Sequence, residues 1–336
     1  MTAVSRRSVV KSCALLAAGV PVLASGDDYV PAVAGGPEPP TSPFGFDSTA
    51  EDVTRGLDLA GMTALVTGCN SGLGLETMRV LALRGAHVFG AARSRKKAEA
   101  ACESVAGMTT PVVVELSDFD NIVSTADHVR STGEAIDMLI LNAGIMGLRE
   151  LALSNGVERQ FAVNHLGHFL LTEHLLPSLR EARAGRVVVV SSAGHRWAPA
   201  EGIQFDNLDG SNGYDPFVAY GQSKLANGLF SRELARRLSQ SSRATSNSLH
   251  PGVIKTGIGR HGPPGSGAEG QRISYKTVPQ GAATSCYLAT HPELDGVSGY
   301  YFADCNAALP NAQMMDDAMA KKLWQASETL TREYRL

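Results

Sequence analysis

The sequence predicts a single α/β domain, built on a doubly wound parallel sheet of about seven strands with helices on both faces. From residue 62 onward, short apolar runs alternate with segments of helical spacing, the order of parts that produces a parallel sheet. The apolar runs are continuous and β-branched, as is typical of strands covered on both faces. No internal repeat is present and composition does not change after residue 56, so we expect one domain over 57–336.

Each predicted strand is a short apolar run, and each predicted helix has apolar residues three and four positions apart. Three successive valines lie in the third strand, and four fill the fifth. We expect strands at 62–67, 86–90, 111–116, 136–141, 186–191, 244–249 and 299–302. We expect helices at 73–84, 94–105, 119–131, 155–179, 216–239 and 279–290.

The first 56 residues are predicted to lie outside this domain. Arg6 and Arg7 precede a short apolar run over 13–24, a pattern that resembles the bacterial twin-arginine export signal. This run is shorter than the ~20 residues that span a bilayer, so we expect a signal peptide over 1–26 and no stable membrane span in the mature chain. Residues 27–56 are rich in proline and glycine, which is typical of a linker or a surface wrap. We therefore expect export to the periplasm or the cell exterior. The alternative is a disordered or tethering N-terminus on a cytoplasmic protein.

The composition argues against binding of nucleic acid or of a metal ion. A net charge of -3 provides no basic footprint for nucleic acid. The five cysteines contain no Cys-x-x-Cys pair, which disfavours both a zinc site and a disulfide framework. Several histidines have no Glu or Cys cluster at ligand spacing, so we expect no metal and interpret them as structural or surface residues. They are His165, His168, His174, His195 and His250.

A glycine-rich loop at 67–74 follows the first predicted strand and opens the first predicted helix. A helix N-terminus offers free N–H groups and a partial positive charge, which suit a pyrophosphate. Gly68 permits a tight turn, Gly72 lets the backbone approach the phosphates, and Gly74 allows close packing of helix on strand. We expect nucleotide contacts from Gly68, Asn70, Ser71, Gly72, Leu73 and Gly74.

Tyr220 and Lys224 lie four positions apart near the start of the helix predicted at 216–239, so they share one face. A tyrosine with a pKa of ~10 is a poor acid or base at neutral pH. A nearby ammonium lowers that pKa, and we expect Tyr220 to exchange a proton with a substrate oxygen.

The Thr-Gly-x-x-x-Gly-x-Gly spacing at 67–74, paired with Tyr-x-x-x-Lys at 220–224, resembles the short-chain dehydrogenase/reductase family. Segments 161–172 and 220–227 are similar to its retinol-dehydrogenase-like branch. The resemblance covers about 60–305. It implies a Rossmann-like domain that moves a hydride between a nicotinamide cofactor and a carbonyl or alcohol.

The residue after the second strand approaches the adenosine ribose in this architecture. No acid stands there, and the planar guanidinium of Arg93 suits a 2′-phosphate, so NADP is favoured over NAD. The resemblance implies that Glu115, where the family usually has Asp, and its neighbour Leu116 lie near the adenine. It also implies backbone contacts on the adenosine side from Asn142, Ala143 and Gly144.

The resemblance also implies roles around Tyr220. Ser192 is expected to hydrogen-bond the substrate oxygen, whereas strand alternation turns Ser191 to the other face. Lys224 is expected to bind the nicotinamide ribose as well. Asn164 is expected to occupy a helix irregularity that holds a water linking Lys224 to solvent.

Pro251 and Gly252 force a turn after the sixth strand. The family places this turn beside the nicotinamide. We expect backbone contact near Val253 and a hydroxyl contact from Thr256.

The sequence offers candidate regions for a substrate pocket and for a partner. Aromatic residues at 197, 205, 214 and 217 fit either a lipophilic substrate pocket or ordinary packing. The helices predicted at 155–179 and 216–239 are long enough to pair across a two-fold axis as a homodimer. The alternative to an enzyme is a nucleotide-binding regulatory protein without turnover, which the presence of Tyr220, Lys224 and Ser192 disfavours.

Overall fold

The computed structural model describes residues 36–254, 258 and 274–336. The predicted signal peptide and Thr256 lie outside these residues. None of the helices in the described ranges combines the length and the apolar character needed to cross a bilayer.

The domain is built on an eight-stranded sheet. Its strands are β1 (Thr63–Thr67), β2 (His87–Ala92), β3 (Thr109–Val113), β4 (Met138–Leu141), β7 (Arg186–Val190), β8 (Thr245–His250), β9 (Tyr301–Ala303) and β10 (Asn306–Ala307). They lie in the order β10-β9-β8-β7-β4-β1-β2-β3. Seven strands run parallel and confirm the predicted sheet, while the two-residue β10 pairs antiparallel with β9. A separate hairpin joins β5 (Leu153–Ser154) to β6 (Val157–Glu158).

Helices cover both faces of this sheet, as predicted. Successive residues of β4 alternate between the two cores: Leu139 enters one, and Met138 and Ile140 enter the other. The helices are α1 (Ala50–Val53), α2 (Gly72–Leu83), α3 (Arg95–Glu103), α4 (Phe119–Ser131), α5 (Arg159–Phe161), α6 (Gly167–Glu181), α7 (Pro216–Leu238), α8 (Val278–Thr290) and α9 (Asp317–Leu330). The first core lies under α4, α6, α7 and α9, and the second under α1, α2, α3 and α8.

The order of strands reverses at β1, which has β2 on one side and β4 on the other. In open α/β sheets, ligands bind outside the carboxyl ends of the strands at such a reversal. The loops after β1 and β4 therefore border the expected binding crevice.

The prediction of one helix over 155–179 is wrong at its start. Asn155 and Gly156 have φ values of 52° and 74° and form the turn of the β5–β6 hairpin. An Asn-Gly pair with two positive φ values suits a two-residue hairpin turn. The helical segment begins at Arg159, passes through a π-helical turn at Ala162–Leu166 and continues as α6.

Residues 36–56 pack on the domain as a surface wrap. Thr49 and Asp52 form a capping box for α1, whose Ala50 and Val53 are buried. The ring of Phe44 packs edge-on against Tyr287 of α8, with centroids 5.9 Å apart.

The C-terminal helix α9 was not predicted. Its Trp324 ring stacks on Phe230 of α7 and packs edge-on against Phe169 of α6. Helix α9 therefore covers part of the face of α6 and α7, the two helices expected from the sequence to pair in a homodimer.

Candidate functional site

Thr67 joins the carboxyl ends of β1 and β4. Its hydroxyl oxygen accepts hydrogen bonds from the backbone N–H groups of Asn142 and Ala143, at 2.9 and 3.0 Å. The side-chain amide of Asn142 donates back to the Thr67 carbonyl at 2.8 Å. These bonds fix the two loops at the sheet reversal relative to one another.

The glycine loop is shaped by close backbone approach. Gly68 and Gly72 have φ values of 70° and 56°, a region that favours glycine. A Cβ on Gly74 would lie 2.3 Å from the Gly68 carbonyl oxygen and 2.5 Å from the Asn142 amide nitrogen. No side chain can therefore occupy that position without movement of the loop.

The loop leaves the first turn of α2 open to an anion. Ser71 is the N-cap residue, and its hydroxyl makes no capping hydrogen bond to the helix. Asn70 and Ser71 are exposed, so they form the rim, whereas Leu73 turns inward against Gly281 of α8. Open N–H groups at a helix N-terminus fit the pyrophosphate of a dinucleotide.

Arg93 follows β2 directly and is exposed. None of the described acidic side chains forms an ion pair with it, whereas the nearby Arg95 lies 3.5 Å from Glu99. The Arg93 guanidinium is therefore free to meet a phosphate at the edge of the crevice.

Glu115 and Leu116 follow β3. One carboxylate oxygen of Glu115 accepts from the N–H and the hydroxyl of Ser117, so this side chain is held by its own loop. Leu116 is buried, and its carbonyl oxygen would lie 2.4 Å from a Cβ on Gly167. An adenine contact from either residue stays a prediction.

Tyr220 and Lys224 lie buried on α7, beneath the crevice. Their exposed fractions are 4% and 2%. The Lys224 ammonium donates to the Val190 carbonyl at 2.9 Å and lies 5.8 Å from the centroid of the Tyr220 ring. The Asp215 carboxylate caps α7 by accepting from the N–H groups of Phe217 and Val218, which fixes the turn that precedes Tyr220.

The side chains of the two neighbouring serines after β7 point in opposite directions. The Ser192 hydroxyl interacts with the Tyr220 hydroxyl and accepts from the Gly194 N–H at 3.0 Å. The Ser191 hydroxyl donates to the Lys224 carbonyl at 2.7 Å, away from the phenol. Only Ser192 is therefore placed beside Tyr220.

Burial dominates the protonation of this pair. It raises the pKa of Tyr220 to about 12, although the Ser192 hydroxyl acts in the opposite direction. It lowers the pKa of Lys224 to about 8. The lower tyrosine pKa expected from a nearby ammonium is thus outweighed by loss of solvation, and Tyr220 is protonated at neutral pH.

Asn164 lies in the π-helical turn, so the expected helix irregularity is present. Its side-chain oxygen accepts from the Ile145 N–H at 2.8 Å, and its amide donates to the Ile145 carbonyl and the Ser223 hydroxyl, both at 2.9 Å. A Cβ on Gly144 would lie 3.3 Å from the Asn164 oxygen and 3.5 Å from the Lys224 nitrogen. The fold thus brings Asn164, Gly144 and Lys224 together, while the relay water stays a prediction.

The Pro251–Gly252 turn follows β8, and Gly252 has a φ of 95°. A Cβ on Gly252 would lie 2.7 Å from Cδ of Lys276, and the Val253 carbonyl accepts from the Lys276 N–H at 2.9 Å. The buried Lys276 ammonium lies 2.5 Å from Asp304. The sequence analysis did not predict this ion pair, which holds Lys276 against the Pro251–Gly252 turn.

The five histidines that the sequence analysis considered as metal ligands are buried and hydrogen-bonded, so they are structural rather than surface residues. Their partners are Ser327 for His165, Thr67 and Asn164 for His168, the Tyr334 carbonyl for His174, the Ser192 carbonyl for His195, and the Ala193 N–H for His250. Among the described residues, no group of three or more His, Cys, Asp or Glu is arranged to hold a metal ion.

An aromatic cluster lies beside Tyr220. The Trp197 ring is 5.9 Å from Tyr220 and 5.5 Å from Phe217, and Met146 packs against the same group. Phe205 lies elsewhere, under the Lys322 ammonium, and the Tyr214 hydroxyl donates to the Leu148 carbonyl.

The sequence is similar to those of known dehydrogenases. The short chain dehydrogenase family model matches residues 62–264. The chain is 42% identical over 300 residues to short-chain dehydrogenase TIC 32 B, chloroplastic, of Brassica napus, covering 85% of this chain and 93% of the relative. It is 39% identical over 293 residues to human retinol dehydrogenase 14, covering 80% and 86%. The crystal structure of an uncharacterized protein from Mycobacterium paratuberculosis matches with a TM-score of 0.68 and 36% identity, covering 84% of this chain and 97% of that one.

Proposed function

The chain belongs to the short-chain dehydrogenase family, and we propose that it moves a hydride between NADP(H) and a lipophilic carbonyl or alcohol, with Tyr220 as the proton carrier. Membership of the family makes it an oxidoreductase that acts on alcohol or carbonyl groups with a nicotinamide dinucleotide. The proposal for Tyr220 is supported by its contact with Ser192 and by Lys224, whose ammonium would lie 3.5 Å from a Cβ on Gly144 after β4.

When bound, the dinucleotide supplies or accepts the hydride. The hydroxyls of Ser192 and Tyr220 donate to the substrate oxygen and hold the carbonyl in place. As negative charge develops on that oxygen, Tyr220 transfers its proton, and the Lys224 ammonium stabilises the phenolate that forms. A tyrosine pKa of about 12 suits this direction because the proton is present before the reaction begins.

NADP is the proposed cofactor. The glycine cradle leaves room for a pyrophosphate at the N-terminus of α2, and the exposed Arg93 suits a 2′-phosphate. NAD lacks that phosphate and gains nothing from Arg93.

The proposed substrate is lipophilic because Trp197, Phe217 and Met146 pack in one apolar cluster with Tyr220. Such a cluster binds an apolar body through burial and offers few polar groups to a sugar or a nucleotide.

Export by a twin-arginine signal remains part of the proposal and rests on Arg6, Arg7 and the apolar run at 13–24. Changing both arginines to lysine should retain the protein in the cytoplasm. Fractionation of cells that express the two forms checks this, and equal export of both would contradict it.

The deciding experiment is a panel of carbonyls and alcohols, apolar and polar, assayed by NADPH absorbance. Turnover of apolar members with NADPH supports the proposal. Tight NADPH binding with no turnover on any member would instead favour the nucleotide-binding regulatory protein.

A further inference from the structure

His168 is a buried residue in the first turn of α6 that the mechanism above does not use. It is 1% exposed. Burial and the positive charge of Lys224 lower its pKa to about 4, so the ring is neutral at physiological pH. A neutral imidazole carries one donor and one acceptor on its two nitrogens.

The contacts of His168 determine which nitrogen carries the hydrogen. Nδ1 lies 3.0 Å from the Asn164 carbonyl oxygen, which can only accept, so Nδ1 is the donor. Nε2 is then an acceptor, and the Thr67 hydroxyl donates to it at 2.9 Å. The other acceptor near Thr67, the Ile140 carbonyl, is farther away at 3.4 Å.

A directed chain of hydrogen bonds follows. The N–H groups of Asn142 and Ala143 donate to Thr67, Thr67 donates to His168, and His168 donates to Asn164. Thr67 ends β1, and Asn142 and Ala143 directly follow β4, at the edge of the sheet where the dinucleotide is expected. Asn164 lies in the π-helical turn beside Lys224.

We propose that His168 is a positioning residue that fixes the Asn164 turn relative to the cofactor loop, so that cofactor binding and proton transfer share one support. This inference rests on the proposed function. Asn164 is held at its amide by Ile145 and Ser223 and at its carbonyl by His168. Loss of the ring removes the hydrogen bond to the Asn164 backbone carbonyl. It also removes the nearer acceptor of the Thr67 hydroxyl, which then has the Ile140 carbonyl at 3.4 Å.

Two substitutions separate the halves of this bridge. His168→Asn keeps a donor near the position of Nδ1 but does not reach Thr67. His168→Gln reaches the position of Nε2 with an acceptor but loses the bond to Asn164. His168→Leu removes both. His174→Leu is the matched control because His174 lies on the same helix and hydrogen-bonds the Tyr334 carbonyl, which is not part of the site.

We expect His168→Asn to raise KM for NADPH about tenfold and leave kcat within about twofold, the effect of one lost buried hydrogen bond. We expect His168→Gln to lower kcat about tenfold and leave KM for NADPH within about twofold. We expect His168→Leu to show both defects. His174→Leu should lower the melting temperature without changing either constant. If all the His168 variants change both constants together, in step with their melting temperatures, the residue is only structural and the proposal is overturned.

A titration of NADPH binding makes the test independent of turnover. The Kd should weaken about tenfold in His168→Asn and stay unchanged in His168→Gln. An unchanged Kd in His168→Asn overturns the inference even if no substrate is found. A weakened Kd in a protein that turns over no substrate supports the cofactor half and assigns the failure to the proposed function.

Discussion

The ammonium of Lys224 is bound to the carbonyl oxygen of Val190 at 2.9 Å, inside a protein interior that leaves 2% of the side chain exposed. Val190 is the last residue of β7, two positions before Ser192, so the bond ties the charge to the strand that presents the serine. The amide of Asn227 donates to the same carbonyl at 3.2 Å. A charge kept in this place costs stability, because burial lowers the lysine pKa to about 8 from a usual 10.5.

Replacing Lys224 with Met should therefore stabilise the protein at pH 7 while removing turnover. The pKa difference corresponds to about 3 kcal/mol as an upper limit. Below pH 8 the folded and unfolded states both carry the proton and the penalty is complete. Between pH 8 and 10.5 the unfolded state binds more protons, so the stability of the unsubstituted protein rises with pH and the two forms converge.

Urea unfolding at several pH values measures this difference. Asn227 continues to satisfy the Val190 carbonyl in the variant, so no acceptor is abandoned. A Met variant that is less stable at pH 7 would show that Lys224 contributes net stability instead.

Tyr220→Phe removes the hydroxyl that faces Ser192 and leaves the ring packing with Trp197 intact. We expect turnover to fall about 10²–10⁴-fold, the contribution of a positioned general acid. NADPH binding should be unchanged. Tyr214→Phe is the control, because its hydroxyl bonds the Leu148 carbonyl and not the serine. Substantial turnover by the Tyr220 variant would remove Tyr220 from the mechanism.

Arg93→Ala should weaken NADP binding about tenfold or more, the effect of a lost charge-assisted hydrogen bond, and leave NAD binding nearly unchanged. Arg95→Ala is the matched control, since Arg95 is already paired with Glu99. Titrations of both cofactors with each protein give the comparison. An equal loss for NADP and NAD would mean that Arg93 does not meet the 2′-phosphate.

Gly74→Ala should destabilise the protein by about 1–3 kcal/mol through overpacking and abolish cofactor binding. The new Cβ would lie 2.3 Å from the Gly68 carbonyl, which is backbone and cannot rotate away. Gly45→Ala meets nothing within 4 Å and serves as the control. Thermal unfolding with and without NADPH reports both effects. Normal ligand stabilisation of the Gly74 variant would show that the loop can relax around a side chain.

Trp324→Ala should destabilise the protein by about 3–5 kcal/mol, the usual cost of removing a buried aromatic ring. It should also promote self-association, because it uncovers Phe169 and Phe230 on the α6–α7 face. We expect the unsubstituted chain not to pair through this face. Light scattering measures the self-association of the variant and of the unsubstituted chain, and thermal unfolding measures the loss of stability. The exposed Gln325→Ala is the control. A stable dimer of the unsubstituted protein that crosslinks through α6 and α7 would restore the pairing that the sequence suggested.

Local patterns were sufficient for much of the architecture. The helix predicted at 119–131 is α4 residue for residue, with Asp118 as its cap. An Asn-Gly pair by itself predicts the turn at Asn155 and Gly156, but the apolar spacing of the residues that follow extended the predicted helix over it. Helix α9 could also have been predicted from the sequence. Its buried residues recur at helical spacing: Ala320, Leu323, Trp324 and Ser327.

The parallel sheet, the glycine loop and the shared helix face of Tyr220 and Lys224 could all be predicted from residue order, because each depends on neighbours along the chain. That burial outweighs the ammonium in setting the Tyr220 pKa, and that Lys276 supports the Gly252 turn, follows from contacts between residues of different elements. The same holds for Thr67 and His168, which are 101 positions apart in the chain and share a hydrogen bond. Solvation and hydrogen bonding depend on which groups the fold brings together, and no spacing along the chain encodes that for residues so far apart.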